Sequence, residues 1–281
     1  MKTVRKIISY IFSILVVTLM FATIILSMVN AVIFSKSNIK NKMQKVDYYS
    51  EISNIIKDSA NNYIMQSGFD ESIMDSVIPK EKINNDIDKV IDAIYDGKEI
   101  DISTEEIRAG LDENVQKYIQ QNNYKVDAQA QKDIAKFEEK IESIYANSIT
   151  YSKNAIKEVV KYFKMAKRIT RLMLIVISIL LIILAFITYK INRASFGISL
   201  VATGIICIFI KCYSSLNIAV NNILLVNKTF SNLMISLINQ VVQYIFICGI
   251  ILTILGIALI ILFERKSASE KYENWVKVIT A

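Results

Sequence analysis

The stretch Asp127–Arg193 decides the fold. It reads DAQAQKDIAKFEEKIESIYANSITYSKNAIKEVVKYFKMAKRITR over 127–171 and LMLIVISILLIILAFITYKINR over 172–193. In its first part Ile134, Phe137, Ile141, Tyr145, Val159, Tyr162 and Phe163 recur at mostly helical spacing. Lys136, Glu139, Lys140, Lys157 and Glu158 fill the other face. No Pro or Gly interrupts the stretch. It runs through the basic cluster Lys164, Lys167, Arg168 and Arg171, and from Leu172 to Tyr189 it carries no charge. This pattern predicts a helix that is amphipathic outside a membrane and apolar within it. If straight, the part before Leu172 projects about 65 Å. A shorter, bent or broken helix fits the same residues.

Working outward, the 281 residues are 53% hydrophobic, but unevenly so. Segment 35–166 is ordinary charged helical sequence with 19 Lys/Arg against 23 Asp/Glu. The rest of the chain holds 14 basic and 3 acidic side chains. The net charge of +7 therefore comes from positions flanking apolar runs, which argues for membrane-helix flanks rather than nucleic-acid binding. His is absent, and with it the commonest acid–base catalyst and metal ligand. Cys207, Cys212 and Cys248 all lie in or beside apolar runs and read as small packing residues. Segment 35–166 has no Cys, so packing must hold it together.

Four apolar runs predict four membrane helices: 7–34, 172–189, 194–213 and 241–263. The first is too long for the apolar region of a signal peptide, usually about 7–15 residues, so it reads as an uncleaved span. The third is rich in small residues, and Ser199 and Thr203 are four apart, as at a close helix crossing. Between the first two spans, segment 35–166 predicts a helical extracytoplasmic domain. A helix continues from Ser35 to Met65 and stops at Ser67-Gly68. Ile78-Pro79 opens the next helix, striped by Ile83, Ile87, Val90, Ile91 and Ile94, and Gly97 stops it. Ser103 to Glu106 spells a capping box for a helix carrying Ile107, Leu111 and Val115. Asn122-Asn123 ends that helix, and Asp127 caps the long one. Segment 214–240 predicts a short outer helical hairpin, and 264–281 a charged cytoplasmic tail whose Tyr272 and Trp275 suit a membrane surface. The short flanks at 1–6, Lys190–Arg193 and Arg265-Lys266 are all basic, which places both termini in the cytoplasm.

The expected architecture is all-α: a four-transmembrane-helix bundle with a helical extracytoplasmic domain inserted between helices 1 and 2. No phosphate-binding loop, dinucleotide fingerprint, zinc signature or nucleophile motif accompanies it, so neither catalytic residues nor a cofactor nor a metal is expected. Asp88, Asp92 and Asp96 line one helix face at four-residue spacing. They read as a solvated face, with a Ca²⁺ or Mg²⁺ site as the rival. Lys164, Lys167, Arg168 and Arg171 read as an interfacial collar, or as a contact for anionic lipid head groups or an anionic envelope polymer. Lys211 snorkels near the end of the third span. The asparagines around the second hairpin (Asn217, Asn221, Asn222, Asn227, Asn232, Asn239) suit a polar cavity.

The run Ile78-Pro79-Lys80-Glu81-Lys82-Ile83-Asn84-Asn85-Asp86-Ile87, with its stop at Ile94-Tyr95-Asp96-Gly97-Lys98, resembles multi-pass membrane proteins of low-GC Gram-positive, clostridia-like bacteria. That resemblance implies no activity. The layout is also similar to claudins and to the division protein FtsX, though the claudin Trp-Cys-Cys pattern is missing. The function expected is non-enzymatic: extracytoplasmic binding, sensing or scaffolding in a cell envelope, exerted through a membrane-protein partner or a homo-oligomer. A transporter or oligomeric channel subunit is the alternative. The lipid bilayer is the expected surrounding, and nucleic acid is not an expected partner.

Overall fold

The computed structural model describes residues 2–74, 76–98, 100, 102–150, 153–216 and 228–279. Among the described residues there are nine α-helices, one 3-10 turn and no strand. In chain order they are α1 Lys2–Val32, α2 Lys36–Lys45, α3 Tyr48–Ser67, the 3-10 turn Glu71–Met74, α4 Lys80–Asp96, α5 Glu105–Gln121, α6 Ala128–Thr150, α7 Lys153–Ile191, α8 Arg193–Leu216 and α9 Lys228–Ile279. The chain divides into two compact units, one built chiefly from Lys36–Ala166, the other from Met1–Ser35 and most of the chain after Lys167. Four helical segments are long and apolar enough to cross a membrane: Lys6–Val32, Lys157–Ile191, Arg193–Ser214 and Lys228–Arg265.

In the apolar unit α8 is the hub. Of its most apolar window 39% is buried, against 6% in α1 and in α7. One face of α8 carries Ser195, Ser199 and Thr203 and meets α1. The hydroxyls of Ser9 and Ser195 are 2.9 Å apart, and Ser199 Oγ donates to the Ser13 carbonyl at 3.4 Å. The opposite face carries Gly197 and Gly204 and meets Gly256 and Gly249 of α9. A Cβ added at Gly204 would stand 2.6 Å from the Gly249 carbonyl oxygen, and one at Gly256 would stand 2.8 Å from the Gly197 carbonyl oxygen. The backbones thus approach as closely as glycine allows. These pairings run α1 parallel to α8 and α9 antiparallel to it. Cys207 is buried against Gly249, as a small packing residue. Tyr189 touches both Phe196 and Phe263, at centroid distances of 6.3 and 5.9 Å. Ser9, the Lys190–Arg193 turn and the end of the fourth apolar run therefore share one end of this unit.

The second unit packs α3 against α6, with α4 and α5 completing the core. α3 buries Ile52, Ile56, Ala60 and Ile64, and α6 buries Phe137, Ile141, Tyr145 and Ile149. α4 adds Ile83, Ile87 and Ala93; α5 adds Ile107, Leu111 and Val115. Each fully buried branched side chain contributes about 1.5–3 kcal/mol. Gly97 ends α4 in the left-handed region (φ 70°), with its N–H bonded to the Ala93 carbonyl at 2.8 Å. Asp127 Oδ1 accepts from the N–H groups of Gln129 and Ala130 and caps α6 as expected.

Several expectations need correction. Helix does not continue unbroken from Ser35 to Met65. It divides into α2 and α3 at Asp47, whose φ of 53° a short polar residue tolerates better than most. The division lets α2 lie along α4. The capping box at Ser103–Glu106 does not form. α5 starts at Glu105 after Thr104; Ser103 Oγ accepts from the Glu105 N–H at 3.3 Å, and Glu106 turns to Lys82 instead. α4 starts at Lys80 with Pro79 in the cap position just before it. The continuity of the long helix through 151–152 lies outside the described residues, between α6 and α7. So does most of the outer hairpin, 217–227. Residues 228–240 are not a separate hairpin arm but the start of α9, which also absorbs the expected tail up to Ile279. Nothing in the sequence from Lys228 to Cys248 breaks a helix, since that stretch has neither Gly nor Pro.

The glycines give opposite expectations. Gly110 has room: a Cβ there would stand 3.7 Å from Val77, an ordinary contact. Gly110→Ala should stabilise the chain by about 0.5–1 kcal/mol through helix propensity. Gly204→Ala should destabilise it by forcing α8 from α9. Thermal melts of the full chain in detergent micelles should move up for the first and down for the second; a higher midpoint for Gly204→Ala would refute the close crossing.

Candidate functional site

The acidic face of α4 is partly solvated and ion-paired. Lys36 Nζ stands 2.9 Å from Asp92 and 2.7 Å from Asp96, and Lys40 Nζ stands 3.0 Å from Asp88 and 3.1 Å from Asp92. The Tyr49 hydroxyl donates to Asp88 at 2.7 Å. The Asp88/Asp92/Asp96 face keeps part of its exposure, and α2 adds what the spacing did not show, two lysines laid along it. The same lysines stand where a cation would, and no group of three metal-ligating side chains occurs among the described residues. Lys36, with Lys40 beside it, holds the Asp92 carboxyl below its ordinary range against the opposing effect of burial. Asp96 and then Asp92 raise the pKa of Lys36. Burial works against the charge on Lys40, but Asp88 and Asp92 outweigh it, and its pKa is raised. The contribution of Asp92 is thus present above the ordinary carboxylate range and lost as pH falls through its lowered value. Those of the lysines are full below the ordinary lysine range and lost as pH rises through the raised values.

Beside this ladder lies a buried carboxylate on the same helix. Asp86 is 1% exposed. It accepts from the Tyr145 hydroxyl at 2.7 Å and from Lys89 Nζ at 2.8 Å, with Lys82 at 3.5 Å. Lys82 also reaches Glu106 of α5 at 3.4 Å. Asp86 therefore ties α4 to α6 directly and to α5 through Lys82. Burial, then the Asp86 carboxylate, holds the Tyr145 phenol well above its ordinary pKa, so it stays a donor.

Among the described residues, a groove of about 610 Å³ lies between the end of α3, the α5–α6 connection and the first half of α6. Phe137 stacks on Tyr63 at 5.8 Å and meets Phe69 at 4.8 Å. Phe69 meets Tyr118 at 5.8 Å, and Tyr118 meets Tyr124 at 6.0 Å. Tyr124 and Val126 are exposed, in a connection that turns at Asn123 (φ 53°). Lys125, Asp133 and Lys136 supply polar groups around this aromatic wall. Apolar faces with a few placed polar groups are what ligand sites generally offer. A second, more polar hollow of about 540 Å³ includes Lys57, Asn61, Glu71 and Lys80, but Lys80 is spent on Ser50 at 2.9 Å.

The expected site residues Lys164, Lys167, Arg168 and Arg171 share one face of α7, at spacings of three, four and seven residues. Lys164 lies against Gly97, in space a Cβ would fill, just beyond the C-terminal end of α4. A cation is favourable at that end of a helix. Lys211 is half-buried near the end of α8. Of the asparagines expected to line a cavity, Asn217, Asn221, Asn222 and Asn227 lie outside the described residues, while Asn232 and Asn239 are exposed on α9. Sequence signals existed for Asp86, which falls within the Ile83–Val90 stripe, but not for the groove, whose rings come from separate segments of the chain. No family model, curated protein or solved structure matches this chain.

Asp86→Ala removes a buried acceptor and strands the buried Tyr145 hydroxyl, and should cost about 3 kcal/mol. Asp88→Ala should cost less, and its effect should shrink in concentrated salt because its partners are partly solvated. Melts of both variants of the full chain in micelles check this; a lower midpoint for Asp88→Ala than for Asp86→Ala would contradict it.

Proposed function

We propose that this chain is a non-enzymatic integral membrane protein of a bacterial cell envelope whose helical domain binds or senses a ligand outside the cytoplasm. The observation that carries the reading is the aromatic groove on α6. This helix leads, with residues 151–152 between, into α7 and its candidate span. Occupation of the groove bears on Phe137 and hence on α6. The ion-paired α2, four residues beyond the end of α1, offers a second link between the domain and a span. The event passes to a membrane-protein partner or a second copy of the chain. Lys167, Arg168 and Arg171 contact anionic lipid head groups or an anionic envelope polymer at the edge of the bilayer.

A transport or channel subunit is the second reading. The hydroxyl seam between α1 and α8 favours it: Ser9, Ser195 and Ser199 meet there, and the buried Ser13 hydroxyl lacks a partner.

Photo-crosslinking separates these. A benzoylphenylalanine placed at Tyr124 in the full chain, in cell membranes, should yield a discrete mass adduct. The same probe at Lys140, exposed on α6 outside the groove, should not. Equal labelling at both positions, or none at either, would remove the groove as the binding site.

A further inference from the structure

Glu138 stands in the apolar stripe of α6, four residues after Ile134 and three before Ile141. It is 6% exposed, and its Oε1 has no hydrogen-bond partner. One turn later Glu142 Oε1 is likewise buried and makes no hydrogen bond, though it is within ion-pair range of Arg108, while its Oε2 accepts from the Thr104 hydroxyl at 2.8 Å. Arg108 of α5 faces the pair from the long end of the ion-pair range. Its Nε is 3.9 Å from Glu138 and 3.5 Å from Glu142, and its side chain is more than half exposed. Asp112, one turn further along α5, adds a third carboxylate to the same field. Among the described residues, no charged group of α3 or α4, the other helices packed on α6, is among those acting on Glu138.

Glu138 and Glu142 thus share one partly solvated guanidinium, with Asp112 near enough to act on Glu138. An ionised Glu138 would be a buried charge with an unmet acceptor, which is unfavourable unless the group takes up a proton or a cation. A metal ion is the weaker candidate, because no three ligating side chains converge among the described residues and Arg108 already occupies the approach. Burial first, then Asp112 and Glu142, raise the Glu138 pKa against the opposing Arg108.

We propose that this cluster is a proton-binding site: Glu138 is neutral in the closed packing of α5 on α6, and its ionisation as pH rises loosens that packing. The site is separate from the aromatic groove and does not depend on a ligand there. The helix that bears it leads through residues 151–152 to α7, so the loosening occurs on the segment that connects the domain to its second candidate span.

The sign of the effect is fixed by linkage. A carboxyl whose folded-state pKa is raised contributes stability that is full below its unfolded value and is lost as pH rises through the folded value. The full chain in detergent micelles should therefore melt at a lower temperature at about pH 8 than at about pH 5. Glu138→Gln keeps the shape and the neutral charge. It should flatten that dependence and melt higher than wild type at the upper pH, whereas Glu142→Gln should keep most of the slope. Wild-type protein supplies an independent readout. The infrared carbonyl band of a protonated carboxyl should persist above the ordinary glutamate range and vanish in Glu138→Gln. An unchanged slope in Glu138→Gln, or the absence of that band from wild type at mildly acid pH, overturns the proposal. A wild-type melt raised by calcium chloride, with the rise lost in Glu138→Gln, overturns it in favour of a metal ion.

Discussion

The close approach of α8 to α9 is the constraint on which the apolar unit depends. A lipid bilayer gives helices no hydrophobic reason to associate, so packing and hydrogen bonds must hold them. Here Gly197 and Gly204 meet Gly256 and Gly249 on one face of α8, and Ser195 and Ser199 meet α1 on the other. The two faces fix the relative direction of three helices. They also gather the basic N-terminal flank, the Lys190–Arg193 turn and the end of the last apolar run at one end.

The charged unit has no such crossing and no disulfide. Its helices are joined by an apolar core and by polar ties of two kinds. The ladder of Lys36 and Lys40 on Asp88, Asp92 and Asp96 is partly solvated and screened by salt. The Asp86–Tyr145 bond is buried and is not. Asp86 is well satisfied, with a hydroxyl and two ammonium groups around it. Glu138 is the opposite case, a buried acid with an unbonded oxygen. The two carboxylates show how similar burial yields either a structural tie or a titrating group, according to the donors at hand.

Periodicity made the helices and the four spans legible, because a 3.6-residue stripe and an uncharged run need no tertiary context. The stops at Gly68 and Gly97 and the cap at Asp127 were legible for the same reason, being local chemistry. The break at Asp47 was not, since it depends on the attraction of α2 for α4, a contact 60 residues away in the case of Lys36 and Asp96. The capping box failed likewise: Glu106 was drawn to Lys82 and the Thr104 hydroxyl to Glu142. Asp86 and Glu138 both interrupt apolar stripes, a signal present in the sequence, but their burial shows only in the packed helices. The aromatic groove had no one-dimensional signature. Tyr63, Phe69, Tyr118, Tyr124 and Phe137 come together only when α3, α5 and α6 pack.

The central claim is that the chain crosses the membrane four times and holds its charged helical domain outside the cytoplasm. Single-cysteine labelling in a Cys-free background tests it most directly. An impermeant maleimide added to intact cells should reach Ser103→Cys and miss Ser269→Cys, with Ser269→Cys labelled only after the membrane is opened. Labelling of Ser269→Cys but not Ser103→Cys in intact cells would reverse the orientation, and labelling of both would contradict the four crossings.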